Sequence, residues 1–195
     1  CSPDEILVAC NTLSTLIEDT TFNKKNTFPI KSIIDIGIAL IQKTLAADEK
    51  ITIFGTETTV SGNTYLDRLL ALGWDKGRIT QIACPGLQTA ISNQDQVERK
   101  VEQFVRQAPK TSQYFLACTH FGIRSNAFNH SKILNPNLEM AKLASEKIQT
   151  QGSISMNMVS RYPMPAQEKA TWLALLKEPG TKAMLKNHRI IENLF

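Results

Sequence analysis

Tyr114-Phe115-Leu116-Ala117-Cys118-Thr119-His120 is an apolar run that ends abruptly in a thiol, a hydroxyl and an imidazole. The run is short, with polar Thr111-Ser112-Gln113 before it and Gly122 after it. That framing fits a buried parallel strand better than a helix. Ligands of open α/β sheets bind just beyond the carboxyl ends of the strands. Cys118, Thr119 and His120 stand at such an end. Near the start of the chain, Glu5-Ile6-Leu7-Val8-Ala9-Cys10-Asn11-Thr12 repeats the design. Both strands close with Ala-Cys and small polar residues, which places the two thiols across one small-molecule site.

Outward from these strands, helix and strand patterns alternate, which predicts an α/β fold with largely parallel sheets. Helices are predicted over 13–19, capped by Asn11 or Thr12, and over 32–47, where Ser32 and Asp35 form a capping box. The stripe Ile34, Ile38, Ile41, Leu45 gives the second of these a core face. Tyr65, Leu69 and Leu72 mark a third helix, closed near Gly73. A fourth spans 94–107 with Val97, Val101, Phe104 and Val105 inward. A fifth spans 137–149 with Leu138, Ala141, Ala144 and Ile148, and a sixth spans 166–177 with Trp172 and Leu176 on one face. Strands are predicted over 50–54, 79–84 and 154–158. The polar segment 20–26 reads as a loop, and the tail to Phe195 as a last short helix.

The 195 residues are 42% hydrophobic and 21% charged, an ordinary balance for a chain that buries a full core. The net charge of +4 mildly favours anionic ligands. The basic residues are scattered, with pairs such as Lys24-Lys25, so a nucleic-acid surface is not indicated. No apolar run reaches the roughly 18 residues of a membrane span. The four cysteines, Cys1, Cys10, Cys84 and Cys118, form no C-x-x-C pair. Reduced thiols and a cytoplasmic location are therefore expected. Cys1-Ser2-Pro3-Asp4 leads almost directly into a buried-type strand, so a segment preceding this chain is expected.

Two cysteines facing one carbon centre can remove a proton from one side and return one to the other. Such chemistry inverts the centre and needs neither metal nor cofactor. It needs donors for the carbanion, and Asn11, Thr12, Thr56, Thr59 and Thr119 supply them. In an extended segment His120 would face the same way as Cys118 and could exchange a proton with it. The plainer reading is that both cysteines are small buried residues and that the threonines of 56–59 cap and turn the chain. Three further readings stay open: a cysteine hydrolase built on Cys118 and His120, a non-enzymatic scaffold that binds an acidic ligand or a protein, and a zinc site from Cys10, Cys118 and His120.

Four segments carry a resemblance to the aspartate/glutamate racemase family, and to its glutamate racemases in particular. Ile6-Leu7-Val8-Ala9-Cys10-Asn11-Thr12 resembles their first active-site motif, and Leu116-Ala117-Cys118-Thr119-His120 their second. Gly55-Thr56-Glu57-Thr58-Thr59-Val60-Ser61 with Tyr65 is similar to a threonine-rich motif between them, and Ala83-Cys84-Pro85-Gly86-Leu87 to another shared segment. The ordered set runs to about Ala144. His120 stands where the aspartate racemases usually carry glutamate, and Ser14 where they tend to carry histidine. The chain departs from the pattern at Ala117, usually glycine, and at Phe121-Gly122, usually Tyr-Pro. The family's Asp-Ser-Gly loop and its Tyr-Gly pair are not found upstream of Cys10.

The resemblance implies a cofactor-independent isomerase that interconverts L- and D-glutamate for peptidoglycan in the cytoplasm, often as a homodimer. It implies two similar α/β domains with mainly parallel sheets and the active site in the cleft between them. The expected division is 1–32 with 139–195, and 33–138. Cys10 and Cys118 would be acid and base, with His120 assisting Cys118. Asn11, Thr12, Thr56, Thr59 and Thr119 would hold the substrate. An aspartate racemase-like enzyme is the alternative.

Overall fold

The structure is a computed structural model that describes residues 4–147, 159–160, 163–175, 177 and 179–190. Its centre is a four-stranded parallel sheet of β3 (Lys50–Gly55), β4 (Ile79–Ala83), β5 (Ser112–Ala117) and β6 (Ile133–Leu134), in the order β4-β3-β5-β6. Ahead of it, β1 (Ile6–Val8) pairs in parallel with β2 (Ile30–Ser32) as a separate ribbon. A third parallel pair joins β7 (Val159–Ser160) to β8 (Arg189–Ile190). The helices are α1 (Asn11–Ile17), α2 (Thr21–Lys25), α3 (Ile33–Thr44), α4 (Glu57–Ser61), α5 (Thr64–Ala71), α6 (Leu87–Asn93), α7 (Val97–Val105), α8 (Thr119–Ile123), α9 (Pro136–Lys147), α10 (Ala166–Leu175) and α11 (Pro179–Lys186). Among the described residues, no helix is long and apolar enough to cross a membrane.

The central sheet is covered on both faces, and its side chains alternate between them. Ile51 and Ile53 of β3 and Phe115 and Ala117 of β5 meet Ile34, Ile38 and Ile41 of α3 and Tyr65 and Leu69 of α5. Phe54, Tyr114 and Leu116 meet Leu87 and Ile91 of α6 and Val97 and Val101 of α7 on the other face. Gly37 lets α3 sit this close, because a Cβ there would lie 2.7 Å from the Phe115 ring. The chain goes from β3 outward to β4, then returns across β3 to β5. The strand order therefore reverses beside β3, and a crevice opens at the carboxyl ends there.

The helix α3 belongs to two neighbourhoods. One side packs on the central sheet, while Ile33 and Ile36 pack with Met140 of α9 and with Leu7 and Leu143. The expected boundary at 138–139 falls inside α9, and that at 32–33 falls between β2 and α3.

Several expectations change. Residues 20–26 hold α2, whose cap Thr20 accepts from the Asn23 N–H at 3.1 Å. This helix has no apolar stripe, so periodicity could not reveal it. The strand β2 is three residues long and was hidden behind Pro29. The predicted 94–107 helix starts at Val97, because Gln94 and Gln96 adopt left-handed backbone (φ 55° and 46°) and separate α6 from α7. Leu72 and Leu138 are exposed rather than inward; Met140 and Leu143 make the inner face of α9. α3 stops at Thr44, α10 at Leu175, and β8 follows the tail helix α11. The predicted strand 154–158, Ile148, Leu176 and the last five residues lie outside the described residues.

Candidate active site

Four strand ends converge on a cavity of about 610 Å³. Ala9, Cys10, Asn11 and Thr12 line it after β1. Thr56, Glu57 and Thr58 line it after β3, and Pro85 and Gln88 after β4. Cys118, Thr119 and His120 complete it after β5. Both thiols expected at one site therefore line one cavity. A single hydrogen bond ties the two strand ends together: the Thr119 hydroxyl donates to the Ala9 carbonyl at 2.7 Å. Cys10 follows the acceptor in sequence and Cys118 precedes the donor.

The two cysteines differ in setting. Cys10 is exposed and caps α1, its sulfur 3.5 Å from the Leu13 N–H. The expected caps, Asn11 and Thr12, are instead the first residues of that helix, which frees their side chains for the cavity. Cys118 is buried. Burial pushes its thiol up to about 11; the N–H groups of His120 and Phe121 pull the other way, and a charge on Cys10 adds to the rise. Below Cys118, buried Cys84 has its thiol raised by burial first and by Cys118 second.

Donors surround the cavity in two layers. Asn11 is 1% exposed; its Oδ1 accepts from the Tyr65 hydroxyl at 2.6 Å. Its Nδ2 is buried with no partner among the described residues. Thr12 and Thr56 join through their hydroxyls at 2.9 Å. Thr59 does not reach the cavity wall. It is buried behind the pair, 2.9 Å from the Thr56 hydroxyl and 3.4 Å from that of Thr12. Thr56 also caps α4 through the Thr59 N–H. Gly62 gives α1 room against this motif, since a Cβ there would strike the Thr15 side chain.

His120 does not sit in an extended segment. The chain turns helical at Thr119, so the alternation that was to align His120 with Cys118 ends one residue earlier. The imidazole lines the cavity and packs against Trp172 of α10, with ring centroids 5.4 Å apart. Burial lowers its pKa below the ordinary histidine value, and Glu168 works in the opposite direction. Among the described residues, no group of three or more His, Cys, Asp or Glu is placed to hold a metal ion.

No protein-family model matches the chain. A glutamate racemase of Campylobacter jejuni is 29% identical over 121 residues, 60% of this chain. One of Sulfurihydrogenibium is 26% identical over 161 residues, 80% of this chain. A crystal structure of the Francisella tularensis glutamate racemase with D-glutamate superposes with a TM-score of 0.77 at 16% identity, covering 96% of this chain and 73% of that one. The chain is similar to glutamate racemases in sequence and in fold. It spans 48% and 60% of the length of the two curated glutamate racemases. Its parallel α/β architecture is the one that the glutamate racemase structure shares.

Proposed function

We propose that this chain carries the two-thiol site of a cofactor-independent glutamate racemase. The observation that carries the reading is that Cys10 and Cys118, from different sheets, line one cavity. One thiolate takes the Cα proton of a bound amino acid, and the opposite thiol gives its own proton to the other face. The C–H bond broken on one side is replaced by a C–H bond on the other, so the centre inverts and the two sulfurs exchange protonation states. The reverse direction uses the same pair in the opposite state. Buried Cys118 favours the thiol form. Each turnover therefore needs the cavity to stabilise charge as it forms.

Asn11 Nδ2 and the hydroxyls of Thr12 and Thr56 are the donors that face developing charge on the substrate carboxylate. Thr59 holds those hydroxyls from behind. Thr119 keeps the two cysteine-bearing strand ends in register and leaves its oxygen open to the substrate. His120 moves protons to and from Cys118. Glutamate as substrate is supported by the likeness to glutamate racemases; supplying D-glutamate for peptidoglycan in the cytoplasm is part of the same proposal. Two α/β domains, 1–32 with 139–195 and 33–138, and a homodimer belong to the same proposal.

The test is to incubate the protein with L-glutamate in deuterium oxide. Deuterium is expected at Cα together with formation of D-glutamate. Folded protein that produces neither would overturn the reading.

A further inference from the structure

Glu168 and Trp172 lie four residues apart on α10, on one face of that helix. The Trp172 Nε1–H donates to Glu168 Oε1 at 3.2 Å. The Trp172 ring meets the His120 ring at 63°. The helix is seated by Thr171, 6% exposed, and packs on α6. A segment about fifty residues beyond the cysteine motif therefore closes over its imidazole. From this geometry we infer that Glu168 and Trp172 form a positioning pair that holds the His120 ring at the cavity and sets its proton affinity, a role that rests on the racemase reading of the site.

The two members act in opposite directions. The Trp172 ring packs edge-on with the imidazole, and the water it excludes there disfavours the charged form. The Glu168 carboxylate favours that charged form. Fixing the carboxylate on Trp172 Nε1 keeps its charge near the ring. Few other charges face His120. On its own element stand Cys118 and Arg124, the latter ion-paired with Glu98. Across the cavity stand Cys10 and Glu57. The residues of α6 carry no charge, and on α9 Glu139 is paired with Lys142. On α10 itself Lys169 turns to the Lys186 carbonyl.

The test is a pH titration of the three histidines by NMR on the 195-residue chain, with His120→Gln identifying the His120 signal. Glu168→Gln keeps an acceptor for Trp172 but removes the charge, so the His120 titration moves to lower pH. Trp172→Ala opens the ring to water, so it moves to higher pH. The acid limb of the pH dependence of kcat follows both. General loosening of the fold would move both variants upward, toward an exposed histidine, and would overturn the inference. So would a Glu168→Gln titration that does not move. If the opposed shifts occur in protein that does not racemise glutamate, the pair stands and the racemase reading falls. If racemisation proceeds while Glu168→Gln leaves the titration in place, the reverse holds.

Discussion

At the scale of single residues, the unequal settings of the two thiols have a direct consequence. With its thiol near 11, Cys118 is almost wholly protonated at neutral pH. A thiolate-directed alkylating reagent is expected to modify exposed Cys10 first. Its rate at Cys118 should rise about tenfold per pH unit between pH 8 and 10, as the thiolate fraction grows. Peptide mapping after timed alkylation reads both rates, and a flat Cys118 profile would contradict the buried-thiol account. A second consequence concerns Tyr65, which is fully buried and spends its hydroxyl on Asn11. Tyr65→Phe strands a buried amide oxygen and is expected to cost about 1–3 kcal/mol in unfolding free energy. An unchanged denaturation midpoint would show that the bond does not form. The strand-end cysteines, Asn11, Thr12, Thr56 and His120 were all legible, because abrupt apolar-to-polar endings are written in local sequence. Thr59's place behind Thr56 was not, since a helix start turns adjacent side chains to different depths. Glu168 and Trp172 were not legible either, because nothing in local spacing links α10 to His120.

At the scale of elements, long periodic segments were the readable ones. The α3 stripe and the Ser32–Asp35 box stand as expected: the Asp35 N–H donates to Ser32 Oγ at 3.2 Å, and the Ser32 N–H donates to Asp35 Oδ2 at 2.9 Å. Ser32→Ala is expected to cost about 1 kcal/mol of stability, measured by urea unfolding. A loss below a few tenths would mean that the cap is not formed in solution. The helices that escaped were short and governed by other physics. α2 is held by a threonine cap and not by an apolar face, and α6 ends where left-handed Gln94 breaks the chain. Leu138 misled because a leucine near a helix start can face water when its neighbours Met140 and Leu143 fill the contact.

At the scale of the whole molecule, the strand order positions the site: the reversal beside β3 leaves an opening where β1, β3, β4 and β5 end. The ribbon that carries Cys10 is anchored to the main body by ionic contacts as well as by packing. Arg68 of α5 reaches Glu18 after α1, at 2.6 Å, and Asp35 of α3. Burial works to raise the Asp35 pKa, but the Ser32 hydrogen bonds and Arg68 more than offset it and hold the carboxyl low. A folded pKa below the unfolded value gives stability that is present above the unfolded pKa and lost as pH falls through the folded one. The stability gap between wild type and Asp35→Asn should therefore be level from pH 6 to 8 and close below about pH 4. A gap independent of pH would contradict this.

The account depends most on two sulfurs addressing opposite faces of one carbon. Its most direct test is the initial rate of Cα deuterium exchange for D- and L-glutamate, measured separately on Cys10→Ser and Cys118→Ser. Each variant should fail to racemise and should retain exchange with one enantiomer only, the opposite one in each case. A variant that exchanges or racemises both enantiomers at the wild-type rate would contradict it.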